Sequence, residues 1–193
     1  MGKSTIFMDL DDTVKDTERY IRRVMQCNGV KPPTVGSVYL LIDSENDSLV
    51  KESLCNYDVI PFKQGARNAI NLLSTEYEIV FCSGCRYEEE KEGKKKLAEE
   101  LGKELILCSG DQWDKSHVDM RGSIFVDDRS DILIRSNADK KFEMFNPYYF
   151  CLTSERDDRT SIVDWFSLVD ILMGAQVNEE LRRTFCQGIQ GIH

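Results

Sequence analysis

Short apolar runs alternate along the chain with segments whose apolar residues recur at helical spacing. Thr5 to Leu10, Glu78 to Cys82, Glu104 to Cys108, Ser123 to Val126 and Lys141 to Phe145 are predicted as strands. Gln64 to Leu73, Glu88 to Leu101 and a short stretch after Asp128 are predicted as helices. Apolar runs this short, flanked by helices, suit parallel strands buried on both faces. The alternation argues for an open α/β sheet of Rossmann-like type. From Ser161 to Met173, Ile162, Trp165, Phe166, Val169 and Leu172 fall at helical spacing, which predicts a helix packed on the sheet. Asn178 to Cys186 is a further helix candidate, and Gly188 to His193 reads as a frayed end.

One segment breaks the alternation. Between Val14 and Tyr57 lie a helix candidate (Thr17 to Cys27), then Pro32-Pro33, then Val38 to Ile42 mixed with Ser, Asn and Asp. That is too long for a simple loop. It reads as a small, mainly helical cap (14–57) inserted after the first strand of a core formed by 1–13 and 58–193. No internal repeat or low-complexity tract is present.

Composition narrows the classes. The chain has 193 residues, 41% hydrophobic and 31% charged, an ordinary globular balance able to bury a core unaided. Its formal charge of −9 makes long nucleic acid a poor partner, because phosphate-backbone binding needs a basic surface. No apolar run approaches the roughly 18 residues of a membrane span. No signal peptide is expected, since Ile6-Phe7-Met8 is far shorter than a signal's apolar core. Gly2 is not followed by the Ser or Thr at position 6 that myristoylation prefers. Of seven cysteines, Cys82, Cys108 and Cys151 sit in or beside apolar stretches, and the count is odd. A reduced, cytoplasmic protein is expected rather than a disulfide scaffold.

The candidate chemistry gathers at strand ends. Ile6-Phe7-Met8-Asp9-Leu10-Asp11-Asp12-Thr13 is an apolar strand ending in carboxylates at i and i+2, which share one side of an extended chain. Ile79-Val80-Phe81-Cys82 ends in Ser83-Gly84, and Ile124-Phe125-Val126 ends in Asp127-Asp128-Arg129-Ser130-Asp131. Ligands of open α/β sheets bind at the carboxyl ends of strands. Clustered carboxylates there need a compensating cation, and oxygen ligands suit Mg²⁺. A carboxylate, a cation, a hydroxyl and backbone N–H groups together make a phosphoryl-transfer site.

From residue 5 to about 145 the chain resembles the haloacid dehalogenase (HAD) superfamily of phosphohydrolases, most specifically in Asp9-Leu10-Asp11-Asp12-Thr13. The resemblance implies that Asp9 is the nucleophile, forming an aspartyl-phosphate, and Asp11 the general acid/base. Dehalogenases lack the second Asp, and the related ion pumps carry Thr there, so Asp11 favours phosphate ester hydrolysis. Ser83 matches the residue that hydrogen-bonds the transferring phosphoryl group, with the Gly84 N–H beside it. In the acidic motif Asp128 takes the direct ligand position, ahead of Asp127. Mg²⁺ is thus expected on Asp9, the Asp11 backbone carbonyl, Asp128 and the phosphate.

The family also uses a Lys that neutralises nucleophile and phosphate. Lys115, in Trp113-Asp114-Lys115-Ser116, and Lys94 are the candidates, with Lys91 and Lys95 behind them. For the helix lysines the competing expectation is a solvated, salt-bridged face among Glu88 to Glu92 and Glu99-Glu100.

Pro61-Phe62-Lys63-Gln64-Gly65-Ala66, the short insertion and Phe125-Val126-Asp127-Asp128-Arg129 further resemble the 5'(3')-deoxyribonucleotidase branch. That implies a nucleoside monophosphate as the small phosphorylated partner. The chain departs from the branch at Asp12, where Gly is usual, and at Thr17, where a cap aromatic is usual; Tyr20 is one turn on. A sugar phosphate or another small metabolite is the alternative substrate, and a phosphate- or nucleotide-binding module without turnover the non-enzymatic alternative. No long nucleic acid and no membrane are expected as partners, and a homodimer is compatible with the chain.

Other features have plainer readings. Cys82-Ser83-Gly84-Cys85 lacks the second Cys pair of a zinc site, and a redox role is the minority reading. His117 reads as a loop residue, and Trp113 and Trp165 as packing residues. Tyr20, Tyr39 and Tyr57 in the insertion either stack on a base or form the cap's own core, with alternation around Tyr39 turning some side chains inward.

Overall fold

The computed structural model describes residues 2–34, 36–41, 47–148 and 160–174. Six parallel strands form one sheet: β1 (Ser4–Met8), β2 (Tyr77–Gly84), β3 (Glu104–Cys108), β4 (Ile124–Asp127), β5 (Lys140–Met144) and β6 (Thr160–Val163). Their order is β3-β2-β1-β4-β5-β6. The chain therefore builds outward from β1 in one direction and then returns to build from β1 in the other. That reversal lies between β1 and β4, and it opens a crevice at their carboxyl ends.

Alternation along the strands assigns the two faces. Ile6 and Met8 of β1, Ile79 and Phe81 of β2, and Ile124 and Val126 of β4 enter the larger core. That core is covered by α3 (Ala66–Leu73) and α6 (Trp165–Met173) through Ala69, Ile70, Leu73, Trp165, Leu168 and Val169, and reached by Leu97 and Ala98 of α4 (Glu88–Leu101). On the opposite face Cys82, Cys108 and Phe125 pack with Ile132 and Leu133 of α5 (Ser130–Arg135). Apolar burial on both faces is the condition for an all-parallel sheet.

The segment after β1 is helical, as the pattern implied. It contains α1 (Thr17–Cys27), a 3-10 turn at Val38–Leu41, α2 (Asp47–Cys55) and a second turn at Tyr57–Val59. Ile21, Met25, Val38, Val50 and Leu54 form a small cluster of their own. The outgoing and returning chains are stitched where they leave the core: Asp16 N–H donates to Pro61 O at 2.8 Å and Lys63 N–H to Val14 O at 2.8 Å.

Three expectations change. Ser161 to Met173 is not one helix, because Thr160–Val163 joins the sheet as β6. Its β-branched residues fit a pleated edge, and Asp164 stops the strand by capping α6, accepting the Ser167 N–H at 2.8 Å. The alternation expected around Tyr39 is replaced by the 3-10 turn. Ser83 and Gly84 end β2 rather than follow it. The helix candidate Asn178 to Cys186, the end Gly188 to His193, Ile42 and Cys151 lie outside the described residues.

Helix α4 comes close enough to the insertion that Gly93 lies flat on Tyr57. A methyl group at Gly93 would collide with the Tyr57 Cβ, which cannot move without its backbone. Gly93→Ala should therefore cost about 1–3 kcal/mol, as overpacking generally does, despite alanine's better helix propensity. Urea unfolding checks this; a stabilised variant would contradict the packing described.

Candidate active site

The site begins where β1 leaves the sheet. The Asp9 N–H still donates to Val126 O at 2.9 Å, so Asp9 is held in register beside β4 and faces Asp127 across the crevice. The chain then turns tightly, with the Val14 and Lys15 N–H groups both donating to Leu10 O. This turn carries Asp11 and Asp12 to the same cavity as Asp9, a space of about 690 Å³.

Each of the first two carboxylates has its own lysine. Lys115 Nζ lies 2.5 Å from Asp9 Oδ1 and 2.6 Å from Asp127 Oδ2. Lys94 Nζ lies 2.6 Å from Asp11 Oδ2, 2.7 Å from Glu90 Oε1 and 3.3 Å from Ser83 Oγ, and it also donates to Gly84 O. Both ammonium groups are buried. Burial alone would discharge them. Asp127 and Asp9 around Lys115, and Asp11 and Glu90 around Lys94, outweigh it and hold both pKa values above the ordinary lysine range. The two lysines are thus fixed cations at neutral pH.

Lys94 overturns the solvated-face expectation for its helix, which holds for its neighbours. Lys91 and Lys95 pair with Glu88 and Glu92 at the surface, while Lys94 is fully buried. Glu90, one turn earlier, closes the helix cap by accepting the Tyr87 N–H at 3.4 Å, accepts the Arg86 N–H beside it at 3.0 Å, and pairs with Lys94 on the inward face.

The acidic centre comprises Asp9, Asp127 and Asp128, whose nearest carboxylate oxygens all lie within 4.8 Å of one another. Burial, reinforced by Asp9, pushes Asp127 up to about 6 against the pull of Lys115. Burial, then Asp127 and Asp9, raise Asp128 well above the usual carboxylate range. Hard oxygen donors under this mutual repulsion fit a divalent cation such as Mg²⁺. Asp127 is committed to Lys115 and to the Arg129 N–H, at 2.9 Å, whereas among the described residues Asp128 accepts a hydrogen bond from Asn146 Nδ2 alone, at 2.8 Å. Asp128 therefore has more capacity left for a metal.

Sequence reasoning missed several groups that shape the site. Thr17 Oγ1 donates to Asp11 Oδ1 at 2.9 Å, so the first residue of α1 braces Asp11. Asp12 is buried with φ +55°, a left-handed conformation that favours glycine. Its Oδ1 accepts the Glu18 N–H at 2.9 Å, satisfying one of the free donors at the start of α1. Asn146 follows β5 and steadies Asp128. Glu90 alone had a sequence signal, an i,i+4 partner in Lys94.

The remaining candidates divide clearly. Trp165 is a packing residue, buried with its indole N–H on Thr13 O at 3.0 Å. Trp113 is not: it is 43% exposed and lines the cavity. Tyr39 and Leu54 bring the insertion to the same cavity, whereas Tyr57 is buried in the core beneath it and Tyr20 is half-buried. Cys82 meets Cys108 at an Sγ–Sγ distance of 3.9 Å rather than Cys85. Cys85 lines the cavity, its thiol pushed up to about 11 by burial and by Glu90. Among the described residues neither Cys joins a metal-ligating group, and His117 is an exposed loop residue.

No known protein-family profile matches the chain, nor does any curated protein sequence. Solved structures do. The HAD hydrolase YfnB from Bacillus subtilis, bound to magnesium, superposes with a TM-score of 0.59 at 11% identity, covering 89% of this chain and 99% of that one. A predicted phosphatase from Clostridium acetobutylicum gives 0.58 at 9% identity, over 90% and 99%. The L-2-haloacid dehalogenase PA0810 gives 0.57 at 12% identity, over 89% and 100%. The chain has the fold of HAD-like hydrolases, a fold shared by phosphatases and dehalogenases alike.

A divalent cation bound here would compete with protons for the raised carboxylates. A raised carboxylate pKa means that the folded protein binds protons the unfolded chain has released. The stability contributed by protonated Asp127 is therefore lost as pH rises through about 6. Bound Mg²⁺ would restore it only where the group is ionised. Saturating Mg²⁺ should raise Tm more at pH 7.5 than at pH 5 in differential scanning fluorimetry; a shift independent of pH would contradict this centre.

Proposed function

We propose that this chain, with the fold of HAD-like hydrolases, is a Mg²⁺-dependent phosphatase that works through an aspartyl-phosphate on Asp9. The observation that carries the reading is the separate provision for two carboxylates at the end of β1. Asp9 sits against Lys115 at the acidic centre, and Asp11 sits two residues on against Lys94 and Thr17. Fold alone would not choose between phosphatase and dehalogenase. A dehalogenase expels halide, which needs no proton, so a second carboxylate braced in this way suits an alkoxide leaving group.

Asp9 attacks phosphorus, forming an O–P bond as the ester P–O bond breaks, and protonated Asp11 gives its proton to the departing oxygen. Asp11 then takes a proton from water as that water attacks the acyl phosphate, freeing Asp9 and inorganic phosphate. Lys115 orients Asp9, and Ser83, the Gly84 N–H and Lys94 receive the phosphoryl oxygens. Asp9, the Asp11 carbonyl and Asp128, with Asp127 behind them, would hold Mg²⁺, which when bound supplies positive charge to the phosphoryl oxygens. Residues 14–57 act as the cap over this core.

The finer reading is a nucleotidase acting on nucleoside monophosphates, a 5'(3')-deoxyribonucleotidase, on the sequence resemblance set out above. The odd cysteine count of the chain suits a reducing, cytoplasmic setting. Asp9→Asn should abolish Mg²⁺-dependent phosphate release. Asp11→Asn should lower kcat by roughly 10²–10⁴-fold with a much smaller change in KM. An Asp11→Asn enzyme with unchanged kcat would refute the assignment of Asp11.

A further inference from the structure

Among the described residues, Trp113 is the exposed large hydrophobic side chain that also lines the cavity. Its ring is not loose. The Arg129 guanidinium stacks on it, 4.6 Å from the ring, and is itself held by Asp131 through Nε at 3.1 Å and Nη2 at 2.6 Å. The Arg129 backbone N–H is tied to Asp127 in turn, so the stack hangs from the acidic loop.

The loop that carries Trp113 is shaped for two tasks. Gly110, at φ +57°, and Lys115, at φ +62°, both adopt left-handed conformations. For a lysine that conformation is strained, and such strain persists where the surroundings impose it. The bend drives Lys115 inward onto Asp9 and leaves Trp113, two residues earlier, on the cavity wall. The ring and the phosphoryl centre are thus spaced by one short, pinned loop. Across the same cavity the insertion contributes Tyr39 and Leu54, an aromatic and an apolar contact.

We propose that Trp113, steadied by Arg129, is the specificity platform of the site and that the leaving group carries a planar aromatic ring. This rests on the phosphatase reading above. A guanidinium on one side keeps the indole flat and in place, and a flat preorganised ring favours stacking at low entropic cost. The ring-reading surface therefore lies on the core loop that supplies Lys115, with the insertion closing over it.

The test compares adenosine 5'-monophosphate with ribose 5-phosphate, which lacks only the ring, on the full chain with Mg²⁺. The nucleotide should have the higher kcat/KM, and Trp113→Ala should reduce that preference roughly tenfold to a hundredfold, with Trp113→Phe recovering most of it. Pyridoxal 5'-phosphate adds a ring close to the ester. A preference for either ring-bearing ester over the pentose phosphate supports the platform, and the better of the two fixes how far the ring stands from phosphorus. In Asp9→Asn, the nucleotide but not the pentose phosphate should change tryptophan emission, a change lost on further substitution Trp113→Phe, which leaves Trp165. Equal kcat/KM for all three esters, or a preference that survives Trp113→Ala, would overturn the platform and leave the phosphatase standing. Release of phosphate from none of them, with the emission change retained, would overturn the phosphatase reading and support the platform.

Discussion

Two buried ammonium groups hold this site together. Asp9, Asp127, Asp128, Asp11 and Glu90 crowd into the crevice at the end of β1, and carboxylates at such distances repel one another strongly once removed from water. Lys115 and Lys94 each bridge two of them, and the remaining negative charge is what makes the centre receptive to a divalent cation. Removal of either lysine would leave unpaired buried charge. The same pairings keep Asp9 and Asp11 in separate ion pairs, Asp9 with Asp127 on Lys115 and Asp11 with Glu90 on Lys94.

The rest of the fold serves this arrangement. Strand order reverses between β1 and β4, so Asp9 and Asp127 emerge side by side without any special loop. Ser83 arrives from the adjacent β2, and Lys94 from the helix that follows it. Gly93 lets that helix settle onto Tyr57, bringing Lys94 within reach of Asp11. Glu18 ties the insertion to the same corner. Its backbone N–H serves Asp12, and its carboxylate accepts from Ser37 Oγ at 2.6 Å and from Arg22 at 2.7 Å. Arg22 stacks in turn on Tyr148, 4.0 Å from its ring. The insertion is therefore anchored within a few residues of the proposed catalytic carboxylates.

Much of this was legible in the sequence, for identifiable reasons. Doubly buried strands leave short apolar runs, so the first five strands were readable, and the acids at their ends marked the site. β6 was hidden because Ile162 also continues the helical spacing of the tail. Lys94 is ambiguous in the sequence because Lys91, Lys94, Lys95 and Lys96 crowd one charged stretch, and only the face shared with Glu90, Leu97 and Ala98 turns one of them inward. From sequence Trp113 reads as a packing residue, because nothing in the sequence shows that the bends at Gly110 and Lys115 leave it exposed on the cavity wall. Thr17, Asp12 and Asn146 act through contacts distant in the chain or dependent on a tight turn, and their types alone carried no signal.

The central claim is a covalent bond between Asp9 and phosphorus, formed before water enters. Asp11→Asn loses both the acid that an alkoxide leaving group needs and the base that clears the intermediate, so an ester whose leaving group needs no proton should still phosphorylate Asp9 in that variant and then stall. Acid quenching of Asp11→Asn shortly after mixing with p-nitrophenyl phosphate and Mg²⁺, followed by peptide mass spectrometry, reads the intermediate directly. The account predicts one added phosphoryl group on the peptide containing Asp9, absent when Asp9 is also replaced by Asn. A phosphoryl group on another residue, or phosphate released with no labelled peptide at any time, would contradict it.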